Sequence, residues 1–226
     1  MEIADNLRAV RARIFEAAKA ADRDPSSVRL IAVSKTYPMA AVREAIAAGQ
    51  VDFGENRVQE LVEKHAAIPD AQWHLIGTLQ RNKVRQIAGF VHLIHSVDSE
   101  KLLEEINRQA ELHSRVIDCL LQINISNEEQ KSGMDESEAN ELLSRIDQFP
   151  HVRILGLMGM AEFTDDMTVV GGQFQRLADA RTRLSAYNGV RVDLRELSMG
   201  MSGDFEVAIA HGATMVRVGS SIFGHR

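Results

Sequence analysis

Short, strongly apolar runs alternate along this chain with longer stretches in which apolar positions recur every three or four residues. The first pattern fits buried strands and the second amphipathic helices. The apolar runs fall at 28–34, 51–53, 73–76, 91–96, 116–125, 152–158, 193–198 and 213–218. Between them the pattern predicts helices over 38–49, 56–67, 82–88, 98–112, 136–148, 172–187 and 204–211, with a further amphipathic helix near 3–21 before the first strand. Boundary residues agree with this division. Pro38 suits a first helical turn, Asp98 or Ser99 can cap the helix that follows the fourth run, and Gly89 closes the short helix after the third.

Eight strands separated by helices point to a parallel sheet in an α/β protein, and eight such units can close into a TIM-type barrel. The expected architecture is a single (β/α)8 barrel over residues 1–226, with 1–27 as an N-terminal helical extension. An open doubly wound sheet is the alternative. It usually has fewer strands, and the first turn here lacks the GxGxxG pattern.

Composition narrows the function classes. At 226 residues the chain can bury a large core, so it needs no disulfide or metal staple. Cys119 is the only cysteine, which excludes an internal disulfide and a cysteine zinc site, and its apolar surroundings mark it as a small buried hydrophobe. A net charge of −6 with scattered Lys and Arg argues against nucleic acid as a partner. No stretch approaches the roughly 20 apolar residues of a membrane span. Glu2 and Asp5 in the first residues speak against a secretory signal, so a cytoplasmic location is expected.

In a barrel of this kind the site forms at the C-terminal strand ends. Reading those ends in order gives Lys35, Asn56, Gly77, Ser96, Asn124, Met158, Ser198, and Arg217 with Gly219. Lys35 follows the apolar run Leu30-Ile31-Ala32-Val33. Confined there, its amine would lose affinity for a proton and become a nucleophile towards aldehydes. A lysine that snorkels to water at the strand end is the competing reading. Two glycine- and serine-rich loops follow the last two strands: Ser198-Met199-Gly200-Met201-Ser202-Gly203 and Arg217-Val218-Gly219-Ser220-Ser221. Turn chemistry alone can account for either. On adjacent strand ends, however, their amides and hydroxyls together favour a phosphate. Arg217 lies inside the last strand, where a cation needs an ion-pair partner or a ligand.

These residues sit within longer motifs: 32–36 (AVSKT), 53–60 (FGENRVQE), 73–83 (WHLIGTLQRNK), Lys131-Ser132-Gly133, Gly156-Leu157-Met158, 197–202 (LSMGMS), and 215–219 (MVRVG) with Ile222-Phe223-Gly224. Together they resemble the pyridoxal-phosphate homeostasis proteins, whose barrel is similar to that of alanine racemase (fold type III), over nearly the whole chain. Thr78 and Arg81 depart from the family, where proline and serine are frequent, and this touches only local loop shape. The resemblance implies pyridoxal 5′-phosphate (PLP) as cofactor, held as a Schiff base on Lys35. It implies Arg217 as partner of the pyridine nitrogen, Ser198, Gly219 and Ser220 at the phosphate, and Asn56 near the ring. Asn56 could also cap its helix, His74 is read as a structural residue of the barrel wall, and Lys131 as a possible secondary cofactor site.

Binding the cofactor does not by itself imply turnover. Arginine opposite the pyridine nitrogen favours the unprotonated ring and weakens it as an electron sink. A racemase of this barrel type also needs a second base, a tyrosine, on the face opposite the lysine. The chain has two tyrosines: Tyr37, tethered close to Lys35, and Tyr187, placed on an outer helix. With the sequence stopping at Arg226, no second β domain is expected. The leading expectation is therefore a monomeric PLP carrier or regulator of vitamin B6 and amino-acid balance, with no catalytic residue and no metal, and with apo PLP-dependent enzymes as possible partners. A weak PLP-dependent racemase is the alternative, and a phosphosugar-type barrel enzyme a third.

Overall fold

The computed structural model describes residues 3–126 and 133–224. Eight parallel strands run β1 Arg29–Val33, β2 Asp52–Glu55, β3 Gln72–Leu75, β4 Leu93–Val97, β5 Ile117–Gln122, β6 Val152–Met158, β7 Val192–Ser198 and β8 Met215–Val218. They close in sequence order, with β8 returning to β1 through the pairs Ile31 with Arg217 and Ala32 with Val218. The expected α/β barrel is thus observed. The helices are α1 Ile3–Ala20, α2 Met39–Ala47, α3 Val58–Ala67, α4 Glu100–Leu112, α5 Glu136–Ser144, α6 Met167–Leu184, α7 Phe205–Ala210 and α8 Ser220–Phe223. No helix among the described residues is long and apolar enough to cross a membrane.

Differences from the sequence reading lie at element ends. The segment after β3 is a 3-10 helix, Arg81–Gln86, where an α-helix was expected. Helix α6 starts at Met167, five residues before the expected position. The Asp166 side chain accepts the amides of Thr168 and Val169 and caps the helix upstream of Gly171 and Gly172. Helix α8 is a single turn and cannot cover the seam where β8 meets β1. The N-terminal helix supplies the missing layer. Leu7, Val10, Ile14 and Ala18, spaced three and four apart, are buried as α1 packs on α2, α7 and α8. Burying each of the three larger side chains stabilises by about 1.5–3 kcal/mol.

The sheet separates two cores. Outside it, residues such as Leu30, Ala32, Phe53, Trp73 and Leu75 pack against the helices. Inside, Ile31, Leu93, Leu120, Leu155, Met158 and Met215 form a small apolar cluster. The rest of the interior contains polar side chains, among them fully buried His74, His95 and Ser198, with Arg217 nearly so. Barrel interiors are ordinarily filled by branched apolar residues.

Candidate functional site at the carboxyl ends of the strands

Lys35 occupies the turn immediately after β1 and is exposed. The confinement expected for it therefore does not obtain, because the chain turns outward at Ser34, and the amine stands at the rim beyond the last buried position. Its backbone, by contrast, is tightly held. Thr36 takes a φ of 66°, a left-handed conformation that β-branched residues avoid. A cluster on the outer face of the sheet maintains it. Ser34 Oγ donates to Glu55 Oε1 at 2.6 Å, and Lys64 Nζ donates to both Glu55 Oε1 and the Ser34 carbonyl at 2.6 Å. The Thr36 amide donates to Glu60 Oε2 at 2.6 Å. Burial pushes the Glu55 carboxyl above its ordinary range despite Lys64 and Ser34, and its Oε2 has no partner among the described residues. Burial also works to raise Glu60, but the Thr36 amide and Lys64 outweigh it and hold that carboxyl low.

Arg217 shows the opposite arrangement. Its side chain points into the barrel and is 4% exposed. Nη1 donates to Ser198 Oγ at 2.6 Å and Nη2 to the Gly159 carbonyl at 3.1 Å. Burial lowers its pKa to about 10, against the pull of Asp204, so the guanidinium stays charged at neutral pH. Ser198 Oγ lies 2.8 Å from His95 Nδ1, His95 Nε2 lies 2.9 Å from His74 Nδ1, and His74 Nε2 lies 3.0 Å from Asp52 Oδ1. Burial holds both imidazoles below the ordinary value of 6.5, and for His95 the neighbouring His74, Arg217 and Arg29 add to this. Both ring nitrogens of His74 are thus engaged within the barrel.

The two glycine- and serine-rich loops pack against each other. The Arg217 amide donates to the Gly200 carbonyl at 3.0 Å, and the Gly219 amide to Ser202 Oγ at 3.2 Å. Gly200 has a φ of 92°, and a Cβ there would lie 2.6 Å from that of Ala208. A Cβ at Gly219 would lie 3.2 Å from the Val33 carbonyl oxygen, so glycine lets this turn close onto the strand that carries Lys35. Ser220 opens the single turn α8, whose first amides have no helical acceptor. Of the serines, Ser202 is the one brought to Gly219, whereas Ser198 is brought to Arg217. Asn56 is half-buried just after β2. The capping role considered for it is corrected: Arg57 is the cap residue of α3, in extended conformation, so Asn56 lies one residue too early to reach the helix amides. Lys131 lies outside the described residues.

The sequence reading missed Asp52, His95, Lys64 and the clamping role of Glu55 and Glu60. The Glu60–Lys64 spacing of four was the one legible signal. Among the described residues, Asp52, His74 and His92 are close enough to share a metal ion. One observation weighs against a cation there: Asp52 already occupies His74 Nε2, at 3.0 Å. Tyr37 donates to the Gly224 carbonyl at 2.5 Å, and Tyr187 to Asn140 Oδ1 at 3.0 Å on the outer surface.

Comparison with known proteins follows the same lines. Residues 5–226 match the family model for the alanine racemase N-terminal domain. The pyridoxal phosphate homeostasis protein of Pseudomonas aeruginosa is 44% identical over 226 residues, covering 99% of this chain and 96% of its own. That of Aquifex aeolicus is 40% identical over 229 residues, covering 100% and 99%. PipY of Synechococcus elongatus, solved with PLP bound, superposes with a TM-score of 0.85 at 39% identity and covers 99% of this chain and 100% of its own. Alanine racemase of Bacillus anthracis shares the fold alone, with a TM-score of 0.73 at 17% identity over 97% of this chain and 56% of its own. The chain accordingly belongs to the pyridoxal phosphate homeostasis proteins, within the family of the alanine racemase N-terminal domain.

Proposed function

We propose that this protein holds PLP covalently, as a Schiff base on Lys35, and serves intracellular PLP homeostasis and amino-acid balance without turning over a substrate. The observation that carries the reading is the convergence at one strand end. The exposed Lys35 turn, the Gly219 turn packed on β1 and the buried Arg217 all lie along the paired strands β1 and β8. The residues fit the group: an amine in reach of solvent for the aldehyde, glycine and serine donors at 219–221 and 202 for the phosphate, and a charged guanidinium for the ring nitrogen. When bound, PLP supplies an electrophilic aldehyde and a conjugated ring. Arg217 has donors only and opposes protonation of that ring, which favours retention over carbanion chemistry. Both tyrosine hydroxyls donate to other partners, which supports a reading without an opposing tyrosine base. In this reading residues 1–226 act as one unit, as a monomer in the cytoplasm, with apo PLP-dependent enzymes as recipients.

The test is to load the purified chain with PLP, reduce it with borohydride and map the modified peptide. Label on Lys35 is expected, and label confined to other lysines defeats the proposal. Deuterium exchange at the α-carbon of amino acids, measured against free PLP, checks the second half: exchange well above the free cofactor would make the protein an enzyme.

A further inference from the structure

The chain of contacts from Arg217 to Asp52 has only one proton arrangement in which every link is a hydrogen bond and both imidazoles are neutral. A guanidinium can only donate and a carboxylate can only accept. Arg217 Nη1 therefore donates to Ser198 Oγ, which could accept a second bond, while Asp52 requires a proton on His74 Nε2. A neutral His74 then accepts at Nδ1 from His95 Nε2, and a neutral His95 accepts at Nδ1 from the serine hydroxyl. Reversing the middle of the chain would leave a bare His74 nitrogen against a carboxylate, or require one more proton in the barrel. Burial disfavours that extra proton first, and Arg29, His92 and Arg217 around these rings disfavour it further, whereas Asp52 alone favours it at His74.

We propose that His95 and His74, anchored by Asp52, are positioning residues for Arg217: they turn a lone pair of Ser198 Oγ towards the guanidinium and so fix the group that meets the ring nitrogen of the cofactor. This rests on the cofactor site proposed above. Asp52, at the amino end of β2, thereby contributes to a site at the opposite end of the barrel. It acts through side chains that each have both polar ends engaged, with no contact to the cofactor.

Histidine 15N spectra of the cofactor-free full chain test the polarity directly. Protonated Nε2 and bare Nδ1 are expected for both His74 and His95 at neutral pH, and a proton on Nδ1 of either ring overturns it. The positioning role is read with PLP labelled with 15N at the ring nitrogen. His95→Leu is expected to move that resonance and its titration and to weaken cofactor retention about tenfold, the equivalent of one buried hydrogen bond. His95→Gln, which can accept from Ser198 and donate to His74, is expected to restore most of the loss. Ser198→Ala should reproduce the effect, and the double variant should be no worse than the weaker single one. Ser198→Ala removes one oxygen, so it carries the test even if His95→Leu does not fold. An unmoved ring-nitrogen signal, or losses that add, overturns the positioning role. A ring-nitrogen signal insensitive to Arg217→Lys instead overturns the site reading and the positioning role with it. The histidine tautomers of the cofactor-free protein would then still stand, so the two failures are distinguishable.

Discussion

Lys35 and Arg217, the two cationic side chains at the proposed cofactor site, are held in opposite ways. Lys35 is exposed, and what is fixed is its backbone, gripped from outside the sheet by Glu55, Lys64 and Glu60. Arg217 is buried, and what is fixed is its side chain, held from inside the barrel by Ser198 and Gly159. The difference suits their proposed tasks. A group that must form and release a covalent bond needs mobility about a fixed origin. A group that must meet one ring atom needs a fixed end point, and low dielectric surroundings strengthen its contacts.

The comparison can be broken from either side. Lys64→Met should have the largest effect, about 3–5 kcal/mol in denaturant unfolding, because it leaves the fully buried Glu55 without its counter-ion. Adding Glu55→Gln to that variant should recover much of the loss. Arg217→Met fills similar space but strips acceptors at Ser198 and Gly159 of their donor, with an expected cost of about 2 kcal/mol in the same assay. Acidification separates the two regions by sign. His74 and His95 have folded values below the ordinary 6.5, so the unfolded chain binds protons first. Stability is then complete above that value and lost as pH falls below it. Glu55, raised by burial, acts in the other direction, favouring the folded state where it is protonated and opposing it as pH rises through its folded value. Thermal melts from pH 7 to 5 should show a net fall, eased in His95→Gln. Lys35→Ala should have the smallest effect on folding, within about 0.5 kcal/mol as for other exposed positions, while abolishing borohydride labelling at position 35.

Much of this was legible in one dimension. Strand order followed from eight apolar runs, and Lys35, Gly219 and Arg217 stood out because each is unusual at a strand end. The serines were harder to place. Ser198 and Ser202 belong to one motif, and only the fold shows that one lies under Arg217 and the other beside Gly219. His95 and Asp52 gave no signal, since a histidine in an apolar run and an acid at a strand start are ordinary features taken singly. Lys35 was expected to be confined because the run before it is buried, but burial ends at Ser34, one residue past the strand, and Lys35 faces water.

The sequence by itself determined the alternation of strands and helices, the barrel they close into and the motifs that place the chain in its family, because hydrophobic periodicity and turn chemistry are local. Tertiary structure alone decided which polar side chains meet. Asp52, His74, His95, Ser198 and Arg217 come from five strands spread over 166 positions from first to last, and they converge because closing the sheet turns alternate residues of every strand into one interior. The polarity of that line of hydrogen bonds is likewise a property of the assembled barrel: with both rings neutral it is set by the acceptor Asp52 at one end and is compatible with the donor Arg217 at the other, neither of which has any local relation to the residues between.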